Sequence, residues 1–422
     1  MIEPRLFYFQ ISTIVHQEMS SPPSIAVIGG GPAGLRAAEV AAEAGAQVTL
    51  YEAKRSVGRK FLVAGKSGLN LTNGVRFPAF LEYYDGPDLP PFFHHALEAF
   101  DNTALRAWAS ELGIETYEAT SSKVFPVGMK AAPLLRRWIE KLRRLGVNFQ
   151  VRHRLTGIAT GDDVTLSLEY DGEALTVKHD AVVLALGGAS WPTTGSDGKW
   201  VKMLENLGLS LSPLASANCG WETNWPKGLL DEAEGLPLKN MVVHCGDAER
   251  QGELVITRYG LEGGPIYRLG PAIRQQADPH IELDLKPTFT VGQLVNKMES
   301  VKRDFLKQAK QRWKLSPAAL AILKHLHGPF EDVQSLAQSV KHCRIPLTRP
   351  RPIDEAISSA GGVQWPELSS NFSLKSHPNI FLAGEMLDWE APTGGFLLQA
   401  AFATGTAVGR AASETPCGLT RI

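Results

Sequence analysis

The stretch SIAVIGGGPAGLRAAEVAAEAGAQVTLYE, residues 24–52, decides the fold. Ser24-Ile25-Ala26-Val27-Ile28 is a short unbroken apolar run, the pattern of a strand buried on both faces of a parallel sheet. Gly29-Gly30-Gly31-Pro32-Ala33-Gly34 follows at once, and Leu35 to Ala44 is alanine-rich and helix-forming, with Gly45 where the helix should stop. A second apolar run, Gln47 to Tyr51, ends in Glu52. Strand, glycine turn, helix, strand and acid therefore stand in register, the order of an α/β dinucleotide-binding unit.

That order assigns each glycine a physical role. Gly29 permits the tight turn out of the strand, Gly31 lets backbone approach a diphosphate, and Gly34 lets helix and strand pack closely. The helix N-terminus around Ala33 offers free N–H groups and a partial positive charge to phosphates. Glu52 ends the next strand where a carboxylate accepts both ribose hydroxyls and repels a 2′-phosphate, so FAD or NAD is expected rather than NADP. The far end of the chain chooses between them. Phe381-Leu382-Ala383-Gly384-Glu385 reads as a second flavin fingerprint, a strand ending in glycine and an acid beside the ribityl chain. Thr393-Gly394-Gly395 then opens a helix whose N-terminus would stabilise the charge that develops at N1 and C2=O on reduction. FAD is the expected cofactor, with contacts expected from Gly29, Gly31, Ala33, Gly34, Glu52, Lys54, Lys60, Asn73, Gly384, Glu385 and Gly395.

Composition bounds the rest. At roughly 150 residues per domain, 422 residues allow two or three domains. An apolar fraction of 44% with 21% charged residues excludes wholesale disorder. Lys plus Arg (43) nearly cancels Asp plus Glu (44), which excludes a protein whose main business is coating nucleic acid or anionic membrane. Cys219, Cys245, Cys343 and Cys417 lie too far apart for a CxxC pair or a zinc knuckle, so reduced thiols and a cytoplasmic location are expected. The apolar run at 6–15 is too short to span a bilayer, and no cleavage site follows it. Residues 1–22 are read as an extension outside the fold, with translation expected to start at Met19.

Along the chain, a helix is expected near 134–145 and strands at 147–153, 164–170 and 181–186. From about 196 the texture changes to short strand candidates at 240–245, 253–257 and 281–285, then a lysine-rich helix at 291–313 and another at 317–326. After 350 the chain becomes glycine-rich again and ends in a helix from about Phe396 to Ala412. The expected organisation is an FAD-binding domain of residues 23–195 plus 345–415, interrupted by a substrate-side insertion, 196–344, whose helices occupy about 290–340.

Several ordered motifs carry a family resemblance. Val57-Gly58-Arg59-Lys60-Phe61-Leu62, with Ala64-Gly65 and Asn70-Leu71-Thr72-Asn73, resembles the GRKLLxSGGGRCNxTN run of the BaiN-like flavoproteins, also called aminoacetone oxidase family FAD-binding enzymes. So do Lys123-Val124-Phe125-Pro126, Gly187-Gly188-Ala189-Ser190-Trp191-Pro192, Gly252-Glu253-Leu254, Gly361-Gly362-Val363 and Ala383-Gly384-Glu385-Met386-Leu387-Asp388. The resemblance covers 24–412 and implies a two-dinucleotide-binding-domain flavoprotein fold with an inserted β-barrel-like domain and a small helical subdomain. It departs where Gly68-Leu69 replaces the family's Arg-Cys, which marks a divergent subgroup.

No second GxGxxG follows a strand, so a nicotinamide, NAD(P)H, would act only as a transient electron donor. The resemblance implies reduction of an activated C=C in a small molecule as the preferred activity, with amine oxidation or RNA-directed nucleobase reduction as alternatives. Lys302, Arg303, Lys307, Lys310, Arg312 and Lys314, and Arg136, Arg137, Lys141, Arg143 and Arg144, form the basic runs an RNA reading would use; solvated helix faces are the plainer reading. Arg258 and Tyr259, in a segment the family keeps near the insertion's contact with the FAD domain, are the candidates for a catalytic charge and proton donor. His244 reads as a packed histidine, and no metal constellation emerges.

Overall fold

The structure, a computed structural model, describes residues 21–161 and 163–416. The proposed start at Met19 and nearly all of the N-terminal extension lie outside the described residues. The opening stretch forms β1 (Ser24–Ile28), α1 (Pro32–Glu43) and β2 (Gln47–Glu52). These strands lie in a five-stranded parallel sheet in the order Ile380–Leu382, Ala181–Leu184, β1, β2, Asn148–Val151. Ile25, Ala26 and Val27 are fully buried, as the unbroken apolar run requires of a central strand. Gly29 adopts a left-handed φ of +106°, and a Cβ there would lie 2.3 Å from the Ala185 carbonyl oxygen. Only glycine makes that turn.

The C-terminal helix, Phe396–Ser413, lies against α1. Gly405 and Gly409 face it: a Cβ at either would come within 2.4 or 2.6 Å of the Ala33 or Ala37 carbonyl oxygen. This close approach brings the two helices together although they are more than 350 residues apart in the chain. The antiparallel strands His153–Ala159, Val164–Tyr170 and Glu173–His179 form a separate three-stranded sheet, against which Tyr51 packs through His153 and His179. The helix expected near 134–145 spans Ala131–Arg144.

A second apolar core gathers residues from Trp221 to Leu347. It covers a six-stranded antiparallel sheet whose central pair is Pro237–Cys245 with Ala248–Ile256. The outer edges of this sheet meet: Glu222 N–H donates to the Arg349 carbonyl at 2.8 Å and Thr348 N–H returns a bond of 2.8 Å to Glu222. The sheet thereby closes on itself like a barrel. Four short helices, Val291–Asn296, Phe305–Arg312, Pro317–Ile322 and Val333–Lys341, pack beside it. The single helix expected over 291–313 is thus two, because the chain leaves helical geometry between them and Asp304 turns to φ +54°. Among the described residues no helix is long and apolar enough to cross a membrane.

Candidate functional site

In an open parallel sheet, ligands bind outside the carboxyl ends of the strands where strand order reverses. A cavity of about 670 Å³ opens there. Ile28 to Ala33 line it from β1 and α1, Tyr51 to Ala53 from β2, Ala185 to Gly187 from the strand Ala181–Leu184, and Ala383 to Glu385 from the last strand. Helix α2 (Arg59–Ala64) and the loop to Asn70 form one wall, and Thr393 to Gly395 close the far end. Gly31 caps α1, and a Cβ built on it would meet no atom within 4 Å. The space that a side chain would fill lies at the helix N-terminus, where unpaired N–H groups favour an anion.

Glu52 is shaped by its backbone neighbours. Gly30 N–H donates to its Oε2 at 2.9 Å and Lys54 N–H to its Oε1 at 2.7 Å. Burial pushes its carboxyl above the usual range, and these two N–H groups oppose that shift. Each oxygen keeps a lone pair for a ribose hydroxyl. Lys54 contributes this N–H, and its side chain does not line the cavity.

Lys60 and Glu385 come from opposite ends of the chain and meet in the cavity wall at 2.6 Å. Lys60 Nζ also donates to Ser190 Oγ at 2.8 Å, and Ser359 N–H donates to Glu385 Oε1 at 2.9 Å. An ammonium has three donors, so Lys60 holds Glu385 and Ser190 and retains one N–H. Lys60→Met should lower affinity for FAD by about ten- to hundredfold, the loss of one hydrogen bond to a charged group at about 1.5–3 kcal/mol. Fluorescence titration of the flavin-stripped protein measures it, and unchanged affinity would refute the role.

At the far end the geometry redistributes the expected contacts. Asn73 is buried and does not line the cavity; its Nδ2 donates to the Gly394 carbonyl at 3.0 Å and so orients the loop. Thr393 N–H is committed to Asn218 Oδ1 at 3.0 Å, which leaves the Gly394 and Gly395 N–H groups and the first turn of the following helix as donors at this end of the cavity. A Cβ at Gly395 would strike the Thr72 carbonyl at 2.3 Å, pointing into protein and not toward a ring. Loss of flavin in Gly395→Val would therefore report disruption against Thr72.

The residues present fit FAD on a further observation. Among the described residues only Asn70 Oδ1, Ser196 Oγ and Trp221 Nε1 are buried side-chain polar atoms without a partner, and Asn70 and Ser196 line this cavity. Leaving such atoms unpaired costs about 1–3 kcal/mol each, a cost that a polar ligand removes. The sequence reading passed over both. Asn70 stood within the quoted Asn70-Leu71-Thr72-Asn73 motif, while Ser196 carried no signal beyond following Gly195.

Arg258 and Tyr259 are not among the residues lining the cavity. The Arg258 side chain is 83% exposed and pairs with Glu234 at 3.5 Å. Tyr259 donates its hydroxyl to Glu262, and the Arg351 guanidinium covers its ring at 4.2 Å. The turn Thr257–Gly260, closed by its own backbone hydrogen bonds, directs both away. Lys302, Arg303, Lys307, Lys310, Arg312 and Lys314 are exposed, as are Arg136, Arg137, Arg143 and Arg144, whereas Lys141 turns inward to Glu39 at 2.6 Å. His244 is partly exposed and lies 3.6 Å from Glu249. Cys219, Cys245 and Cys343 are free and buried, and burial pushes the Cys219 thiol up to about 11. No group of three or more potential metal ligands occurs among the described residues.

A second, smaller cleft is lined by the loop 390–392 and residues of the helix Gly264–Arg268, while Thr393 lines the first cavity. Asn218, Tyr267, Arg268, Glu390 and Pro392 are among its walls. Asn218 fixes the partition, donating to Ser358 Oγ and the Ala391 carbonyl, each at 2.8 Å, while accepting from Thr393.

Residues 23–411 match the family described as HI0933-like protein Rossmann domain. The 3-dehydro-bile acid delta(4,6)-reductase of Clostridium scindens is 28% identical over 420 residues, spanning 93% of this chain and 99% of that protein. The ribosomal RNA dihydrouridine synthase of Escherichia coli is 24% identical over 397 residues, 90% of this chain and 96% of that one. Among solved structures, the apo form of the Mycobacterium smegmatis Sdh1 complex superposes with a TM-score of 0.50 at 15% identity, over 93% of this chain and 68% of that one, a likeness of fold.

Proposed function

The chain belongs to the HI0933-like Rossmann family, and from that footing we propose that this FAD-dependent oxidoreductase reduces an activated C=C bond in a small organic substrate. The observation that carries the reading is the cavity itself: two strand-to-helix turns open onto it, with a ribose-binding acid at Glu52 and an ion-paired acid at Glu385. Bound reduced FAD supplies the hydride. The chain's own residues would hold it: the N-terminus of α1 the diphosphate, Glu52 the ribose, Lys60 and Glu385 the ribityl side, and the Gly394 and Gly395 N–H groups the flavin ring. The near full-length likeness to a delta(4,6)-reductase supports an alkene substrate. A nicotinamide is the proposed transient electron donor.

Anaerobic stopped-flow spectroscopy tests this. NADH or NADPH should bleach the flavin, and enones should restore its absorbance. Uridine-containing ribosomal RNA belongs in the same panel, because the uracil C5=C6 bond is conjugated to a carbonyl and the exposed basic runs offer phosphate contacts. Rapid bleaching by amines, with peroxide formed in air and no response to any alkene, would overturn the reductase reading.

A further inference from the structure

The residues assigned to FAD leave one wall of the large cavity unused. Val63, Lys66, Gly68, Lys123, Phe125 and Met129 line the cavity along it. Backbone bonds make this wall one piece: Leu69 N–H donates to the Met129 carbonyl at 2.9 Å, and Leu71 N–H to the Val124 carbonyl at 2.8 Å. Successive strand residues point to opposite faces, so in the strand Lys123–Pro126 the buried Val124 faces away while Lys123 and Phe125 share the cavity side. The register also fixes which end of the cavity they flank. Lys123 pairs across the strands with Asn73, whose amide holds the Gly394 carbonyl, so this wall stands at the Gly394–Gly395 end.

The wall is apolar and yet exposed. Phe125 is backed by Tyr117, with ring centroids 5.9 Å apart. Met129 is 36% exposed and sits at φ +59°, a left-handed conformation uncommon outside glycine, in a turn closed by its N–H bond of 2.8 Å to the Pro126 carbonyl. A Cβ at Gly68 would collide with Met129 Cε and lie 3.7 Å from the Phe125 ring, so Met129 covers the position at which the chain departs from the Arg-Cys of the family run. Tyr117, Val127 and Met129 are three of the seven large apolar side chains exposed among the described residues. Apolar surface gathered on the rim of a cavity marks a place where a ligand is covered.

The unspent charge on this rim is positive. Lys66 and Lys123 are exposed, and among the described residues neither makes an ion pair. The two acids that line the cavity are committed elsewhere, Glu385 to Lys60 and Glu52 to the N–H groups of Gly30 and Lys54. Glu118 on the neighbouring strand pairs with Val124 and so shares the opposite face. The diphosphate does not claim these lysines. Gly58 N–H donates to the Gly30 carbonyl at 2.7 Å, which puts Arg59 at the diphosphate end of α2. Lys66, seven residues on, lies roughly 10 Å along the helix direction at 1.5 Å per residue.

We propose that this wall seats the substrate, and that the substrate is an apolar molecule carrying a carboxylate. Its body rests on Phe125 and Met129, its anion pairs with Lys123, and Lys66 adds to the attraction from the same rim. The assignment rests on the reductase reading above and narrows it to acidic substrates: the charge is held at the rim while the activated alkene lies toward the Gly394–Gly395 end.

Two aryl enones that differ only in that charge, 4-(3-oxobut-1-enyl)benzoate and its methyl ester, test it. Calorimetric titration of oxidised, FAD-loaded protein measures their binding without turnover. The acid should bind about tenfold more tightly although the ester is the more apolar, and the preference should shrink as salt is raised. Lys123→Met should weaken the acid about fivefold, the upper end for an exposed ion pair, and Lys66→Met about two- to threefold. Ester binding and flavin content should stay at wild-type values in both, and Lys123→Arg should keep the preference. Phe125→Ser should weaken the two probes alike. Equal or absent binding of the probes by the wild type, or a preference intact in both methionine variants, would overturn the assignment. So would loss of flavin in Lys123→Met, which would make that lysine a cofactor ligand. Reoxidation of the dithionite-reduced protein by the acid is the separate check on the reductase reading: an acid that binds through Lys123 and never reoxidises the flavin leaves the site standing and overturns that reading.

Discussion

Gly31→Val is expected to yield a folded protein that purifies without flavin colour. Gly31 has φ −80°, which any residue adopts, and its missing Cβ points at no protein atom within 4 Å. The added side chain therefore strains nothing in the polypeptide and fills the space before the N-terminus of α1. Replacing a glycine cap by valine costs on the order of 1 kcal/mol, while displacing a diphosphate from two charge-assisted hydrogen bonds removes about 3–6 kcal/mol of binding, a loss of roughly a hundred- to ten-thousandfold. Flavin absorbance of the purified variant, its titration with FAD, and its unfolding midpoint beside the flavin-stripped wild type measure the two effects separately. Wild-type flavin content would mean that the diphosphate lies elsewhere. Gly29→Val cannot serve, since its side chain would collide with the Ala185 carbonyl.

The largest stability effect is expected at Glu39, a fully buried carboxylate on α1. Arg36 approaches it at 3.1 Å and Lys141 at 2.6 Å, and the indole N–H groups of Trp108 and Trp138 donate to it at 3.0 and 2.7 Å. One carboxylate thus ties α1 to the helices Asn102–Glu111 and Ala131–Arg144. Glu39→Ala leaves two indole N–H groups without their acceptor and takes the buried anion from Arg36 and Lys141, which keep only Thr406 and Glu43, and breaking a buried pair in this way costs about 3–5 kcal/mol. Glu39→Gln, which keeps an acceptor, should fall between. Urea unfolding with an unchanged denaturant slope reads the loss; a change below about 1 kcal/mol would show that the cluster relaxes. Burial alone would lower the Lys141 ammonium, but its bonds to Glu39 and Glu43 outweigh that and hold it above the usual lysine value. Its contribution to stability is therefore complete below the unfolded-state pKa and fades as pH climbs through the raised one.

Residues 24–52 alone specified their strand, turn, helix, strand and acid, because each step is local: a buried apolar run, glycines at a tight turn, helix formers, and a carboxylate at a strand end. The strand end at Glu385 and the helix start after Gly394–Gly395 were legible for the same reason, since strand ends and helix starts are written in neighbouring residues. The length allowed more than one core, and the structure has two. Only the tertiary structure decided which donors are free. Thr393 reads as an available N–H until Asn218, 175 residues away, is seen to occupy it. Lys60 becomes a partner of Glu385 across 325 residues, and the Arg268 guanidinium comes to rest over the Tyr83 ring. Arg258 and Tyr259 carried suitable chemistry on the strength of side-chain type, yet the turn they occupy directs them elsewhere. Local sequence states what a residue can donate or accept. Whether that capacity is already spent depends on partners that only folding brings within 3 Å, the reach of a hydrogen bond.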